Sequence, residues 1–290
     1  MDTSFYLIQA LNGVQYGFLL FLVASGLTLI FGIMGVINLA HGSFYMIGAY
    51  LAYWLTDATG NLLLGILIGL PIAILVGLAI ERFAISFLYT RDHLYQVLLT
   101  YGLILIFNES QSILWGNDLH SVALPDMLAG SIPLTDTLSY PVYRVFVSAV
   151  CVVIALAMLL VIQKTRLGMM IRAGASNRDM VQILGIDISR LFAIVFGAGA
   201  GLAAFAGMMA APLDAVYPGM GEGVLITSFV VVVIGGVGSI KGAFFGAMLI
   251  GVADTFGSVL APGFSGIVIY ALMALVLLWR PQGLFGQQAP

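Results

Sequence analysis

KTRLGMMIRAGASNRDMVQILGIDISR, residues 164–190, carries five of the chain's ten Lys and Arg side chains: Lys164, Arg166, Arg172, Arg178 and Arg190. On both sides the sequence turns to hydrocarbon, with VYRVFVSAVCVVIALAMLLVIQ (142–163) before it and LFAIVFGAGAGLAAFAGMMAA (191–211) after it. About 20 apolar residues cross a bilayer as a helix. A charged island between two such runs places the runs in a membrane and the island in water.

The same contrast extends along the whole chain. Of 290 residues, 61% are hydrophobic and 8% charged, with a mean hydropathy of +1.11. A soluble domain is about 45–50% apolar and about 25% charged, so that class is excluded. Only helices or closed barrels satisfy their backbone in lipid, and continuous rather than alternating apolar runs select helices. Spans are expected at about 12–33, 39–56, 62–81, 94–115, 140–162, 191–211, 224–240, 243–261 and 265–279. The stretch 224–240 ends in glycines and also reads as a short or re-entrant piece. The expected fold is therefore an all-α polytopic membrane bundle of eight to nine spans with discontinuous Gly-rich segments.

Lys and Arg favour the cytoplasmic side of a membrane protein. Placing Arg82 and Arg91 inside puts the 164–190 island, Lys241 and Arg280 inside as well, and leaves only Arg144 opposed. Asp57, Asp118, Asp126, Asp136, Asp214 and Glu222 then fall mostly outside. The N-terminus is expected in the periplasm and the C-terminus in the cytoplasm. The start, MDTSFYLIQAL, lacks a basic n-region and a small-residue cleavage site, so the first apolar run reads as a retained span. One cysteine, Cys151, excludes internal disulfides and a thiolate metal site. Neither the outer loop (about 116–139) nor the inner loop (163–190) is long enough for its own core. Residues 1–290 thus read as one transmembrane domain, energised by an ion gradient or by another chain.

Two stretches echo each other. Gly32-Ile-Met-Gly35-Val-Ile-Asn38-Leu-Ala-His41-Gly42-Ser-Phe-Tyr lies early, and Gly235-Gly-Val-Gly238-Ser-Ile-Lys241-Gly242-Ala-Phe-Phe lies late. Glycine permits non-helical dihedrals, and paired helix interruptions mark binding or gating regions in transporters. Glycine also serves plain close packing in membrane helices. Asn38, His41, Gly42, Gly235 and Gly238 are accordingly candidates for a substrate pathway. Capping of a broken helix is the alternative role for Asn38 and His41. Asn108, Glu109 and Asp254 are further intramembrane polar residues, of the kind that default to functional hypotheses.

Enzyme chemistry fares poorly. Gly263-Phe-Ser265-Gly266 resembles the G-x-S-G pattern of intramembrane serine proteases, but His41, His93 and His120 all lie far upstream of it. GGVGSIKG (235–242) lacks the G-K-[ST] ending of a phosphate loop. No catalytic residue is expected. In the island, Ala173, Asn177, Val181 and Gly185 recur every four residues, which on one helix forms a stripe of mostly small side chains. A solvated loop needs no such stripe, whereas a helix seated in a partner's groove does.

At this point the sequence resembles a known family. Gly168, Arg172, Ala173, Asn177, Gly185 and Ile186 match the cytoplasmic coupling motif of ABC-importer permeases, with Val181 where relatives often carry Ala. GLTLIFGIMGVINLAHGSFYMIGAYLA (26–52) and RPQGLFG (280–286) resemble branched-chain amino acid permeases, specifically the H-type subunit. The resemblance implies a bacterial inner-membrane subunit paired with a homologous M-type permease. Two cytoplasmic ATPase subunits would carry ATP and Mg, so this chain itself holds no cofactor, and a periplasmic binding protein would deliver substrate. Besides the lipid bilayer these complete the expected partners, with no nucleic acid. Leucine, isoleucine and valine are the implied substrates; urea, short-chain amides or other amino acids are the alternatives within the family. A gradient-driven carrier or channel is the alternative outside it.

Overall fold

Why α1 is the centre of the molecule follows from its composition: it is apolar on every face, so burial rather than amphipathicity fixes its place. In the computed structural model, which describes residues 3–89, 91–135 and 138–286, α1 spans Thr3–Met34 and most of its length is buried. It is followed by α2 (His41–Thr59), α3 (Leu62–Phe83), α4 (His93–Trp115), a hairpin of β1 (Ser131–Thr135) and β2 (Leu138–Pro141), and α5 (Val142–Lys164). Then come α6 (Arg166–Ser176), α7 (Arg178–Ile183), α8 (Ile188–Ala210), α9 (Met220–Gly235), α10 (Ile240–Leu260) and α11 (Ser265–Trp279). Asp136 and the side chain of Ser265 lie outside the described residues.

α1, α2 and α8 form the interior, and α3, α4, α5, α10 and α11 surround them with Leu- and Ile-rich outer faces. Close approach is bought with glycine. A methyl at Gly48 of α2 would run into the carbonyl of Ala204 in α8, and one at Gly207 of α8 into the carbonyl of Tyr45. Small residues let membrane helices pack backbone to backbone where no hydrophobic drive separates helix from lipid. Short polar residues set the helix starts. Asn61 Oδ1 accepts from the N–H of Leu63 at 2.8 Å, and Ser239 Oγ accepts from Gly242 N–H at 3.1 Å.

The all-α membrane bundle stands, with two differences from expectation. Among the described residues, six helices are long and apolar enough to cross a membrane: α1, α3, α4, α5, α8 and α10. The eight to nine spans expected are not reached on that measure. α2 has 19 residues but carries His, Ser, Thr, Asp and tyrosines, which it can hold because thirteen of its residues are buried in protein rather than in lipid. α9 (16 residues) and α11 (15) extend about 22–24 Å at 1.5 Å per residue, short of the roughly 30 Å hydrocarbon layer. The loop over about 116–139 is also more ordered than its length suggested. Its hairpin pairs Ile132 with Tyr140, and an isolated bridge joins His120 to Val216 through bonds of 2.9 and 2.8 Å.

Candidate coupling surface and helix breaks

The charged island folds as two helices. Thr165 Oγ1 accepts from Gly168 N–H at 3.1 Å and starts α6 as it turns back from the end of α5. Gly168 is buried where a methyl would strike the carbonyls of Val161 and Ile162, and Arg172 Nη1 donates to the Ile162 carbonyl. Asn177 is extended (φ −156°, ψ 102°), and its Oδ1 accepts from Met180 N–H at 2.9 Å, which opens α7. Gly185 takes φ +83° and closes the loop, with the Ile186 N–H reaching the Val181 carbonyl. Asp187 Oδ1 then accepts from Arg190 N–H at 3.1 Å and caps α8.

The single helix expected over 168–186 is therefore broken at Asn177, and the stripe does not form. An Asn side chain offers the backbone a cap that competes with continued helix. Ala173 is half-buried, Asn177 and Gly185 are exposed, and Val181, only 3% exposed, points into the protein. What the loop shows to water is a different set: Met169, Met180, Ile183 and Leu184, the last two 79% and 72% exposed. Arg172 and Arg178 lie between Met169 and Met180 in sequence. The four-residue spacing of small side chains says nothing of these four; their signal in the sequence is large apolar side chains within a charged stretch. Arg178 also reaches inward. Its guanidinium lies 5.7 Å from the ring centre of Phe192 in α8, and its Nη2 stands 2.6 Å from where a Cβ would sit on Gly35.

Gly35 (φ +60°) ends α1, and residues 35–40 return the chain into the bundle. Ile37 N–H donates to Gln96 Oε1 at 3.3 Å. His41, fully buried, donates from Nε2 to the Val23 carbonyl at 3.0 Å, beside the middle of α1. Its Nδ1 and both amide atoms of the fully buried Asn38 have no partner among the described residues. Backbone off the helical path is tolerated at membrane depth only inside protein or along a cavity, and this segment meets the first condition. At the second echo, Gly236 (φ +97°) and Gly238 (φ +80°) end α9 and lead into α10. The tail stitches onto this elbow, with Leu284 N–H donating to the Ile234 carbonyl at 2.8 Å and Phe285 N–H to that of Gly235 at 3.0 Å.

The two breaks meet where Gly32 faces Gly238, a Cβ on the first standing 2.9 Å from the Cα of the second. The candidate pathway residues do not converge on one point. Gly42 rests on Gly221 at the start of α9, while Gly235 lies 14 residues on, about 21 Å along the helix. Of the other polar residues singled out, Asn108 Nδ2 donates to Glu222 Oε1 at 2.7 Å and ties α4 to α9. Arg144, the lone basic residue opposed to the charge bias, donates to Asn12 Oδ1 (3.2 Å) and Gln15 Oε1 (3.0 Å) on α1. A cavity of about 860 Å³ separates α6 from the α9–α10 elbow.

A family model described as the permease component of branched-chain amino acid transport systems matches residues 9–277. The chain belongs to that permease family. It is 32% identical to the high-affinity branched-chain amino acid transport system permease protein BraD of Pseudomonas aeruginosa, covering 97% of this chain and 96% of that one. Identity to LivH of Escherichia coli K12 is also 32%, over 98% of this permease and 96% of the relative. LivM of the same organism is 26% identical over 93% of this permease and 68% of its own length. Among solved structures, PsaBC from Streptococcus pneumoniae in complex with Fab superposes with a TM-score of 0.50 at 12% identity, covering 94% of this permease and 90% of that chain, a likeness of fold alone. Membership of a permease family also removes the protease reading of Ser265.

Proposed function

We propose that this permease is the H-type membrane subunit of an ATP-driven importer for leucine, isoleucine and valine. It works in a bacterial inner membrane beside a homologous M-type permease, with two cytoplasmic ATPase subunits that hold ATP and Mg and a periplasmic protein that delivers substrate. Both LivH and LivM are relatives, which supports the pairing. α2, α9 and α11 cross with the six longer helices, the two short ones by local thinning of the bilayer, and nine crossings with the Lys and Arg bias put the N-terminus outside and the C-terminus inside.

The observation that carries this reading is the exposure of four large apolar side chains, Met169, Met180, Ile183 and Leu184, interspersed with Arg172 and Arg178 on a loop between membrane helices. Large apolar side chains held in water cost free energy that a partner's groove returns, about 1.5–3 kcal/mol for each side chain fully buried. α7 sits directly on α8 and, through Arg178, on the first helix break. Closure of the ATPase pair would move α6 and α7, and α8 and the Gly35 turn would carry that motion into the bundle. The test is reconstitution. Liposomes holding both permeases and the ATPases, with the substrate-delivering protein on the opposite face from ATP, take up labelled leucine, and unlabelled valine competes while urea does not. Uptake by this chain alone, without the ATPases, would overturn the proposal.

A further inference from the structure

We propose that the cavity between α6 and the α9–α10 elbow binds a phosphate-bearing anion, the headgroup of an acidic phospholipid from the cytoplasmic leaflet. The proposal rests on the orientation given above. Two cations reach the cavity from different elements, Arg172 from α6 and Lys241 from the first turn of α10, and the hydroxyls of Ser176 and Ser239 join them. Among the described residues no Asp or Glu lines it, and neither cation has a carboxylate within 4 Å. Two like charges converging without a counter-ion invite an anion. Lys241 has no bond to hold it elsewhere among the described residues, and only one nitrogen of Arg172 is engaged, by the Ile162 carbonyl.

The rest of the wall decides between a lipid and a soluble anion. Leu29, Leu159 and Ile171 face the same space, from the ends of two membrane helices and from α6. At about 860 Å³ the cavity is far larger than a phosphate. A free anion would leave the hydrocarbon wall wet, whereas a phospholipid places its phosphate between Arg172 and Lys241 and its glycerol and first methylenes against that wall. The depth agrees: α5 ends at Lys164 and α6 turns back at once, so the cavity opens at the membrane boundary. Basic pockets at that level between transmembrane helices are a recurrent site for acidic headgroups.

The experiment is native mass spectrometry of the full chain, assembled with its partner subunits and released from nanodiscs of phosphatidylcholine containing phosphatidylglycerol. The expected result is retention of phosphatidylglycerol over phosphatidylcholine, reduced about 5-fold in Lys241→Gln and restored in Lys241→Arg. sn-Glycerol 3-phosphate, added as a competitor, should not displace the lipid. If it binds alone and does displace it, the cavity takes a soluble phosphate and the lipid assignment falls. Equal retention of the two lipids, or unchanged retention in Lys241→Gln, overturns the site altogether. The readout is lipid mass, not uptake, so failure here leaves the permease reading standing. Loss of ATP-dependent uptake with lipid retention intact would count against that reading alone.

Discussion

At Asn177 one side chain decides whether the charged island is one helix or two. Its Oδ1 holds the first turn of α7, and loss of such a cap costs about 1 kcal/mol. In Asn177→Ala, amide hydrogen exchange across 178–184 should quicken about 5-fold, while Asn177→Asp, which keeps the acceptor, should leave it near wild type. Asn38 presents the reverse case. Its amide is buried with neither atom partnered, and replacing such a group by an apolar one of similar size is neutral or stabilising. Asn38→Leu should therefore hold or raise the melting temperature; if Asn38 belongs to the pathway, leucine uptake should fall at the same time. A lower melting temperature would place Asn38 in the scaffold instead.

Between elements, glycine governs how closely helices pass. Gly48→Ala drives a methyl into α8 and should cost about 1–3 kcal/mol as overpacking. Gly223→Ala in α9 meets nothing within 4 Å and should leave the melting temperature unchanged or slightly raised. Thermal melts of the two variants in one detergent compare them directly. This scale also shows what the sequence could and could not reveal. Long apolar runs predicted α3, α4, α5, α8 and α10 nearly to their ends, because each is continuously apolar over a membrane's thickness, whether it lies at the periphery or, like α8, in the interior. The echo of Gly35 and Gly238 predicted both breaks, since positive φ leaves few other residue types. The four-residue spacing in the island misled, because spacing is blind to a cap that interrupts the helix it assumes. RPQGLFG spoke only through resemblance, and its bonds to the last carbonyls of α9 lie between residues about fifty positions apart, beyond the reach of local pattern.

Across the whole molecule the claim is one of orientation and coupling. The single cysteine, Cys151, is buried, so introduced cysteines report topology on a quiet background. Asp118→Cys should react with a membrane-impermeant maleimide in intact cells, and Gln182→Cys only after the membrane is opened. The reversed pattern would invert the protein and move the island away from the ATPases. The coupling claim itself turns on the apolar cluster at the tip of the island, and one measurement tests it most directly. ATPase subunits are co-purified with the assembled permease pair carrying Ile183→Asp, with Met127→Asp, a change at a still more exposed residue of the 116–139 loop, as the control. The account predicts at least about 10-fold weaker retention for Ile183→Asp, from burial of that side chain in the partner, and no loss for Met127→Asp. Full retention of the ATPases by Ile183→Asp would contradict it.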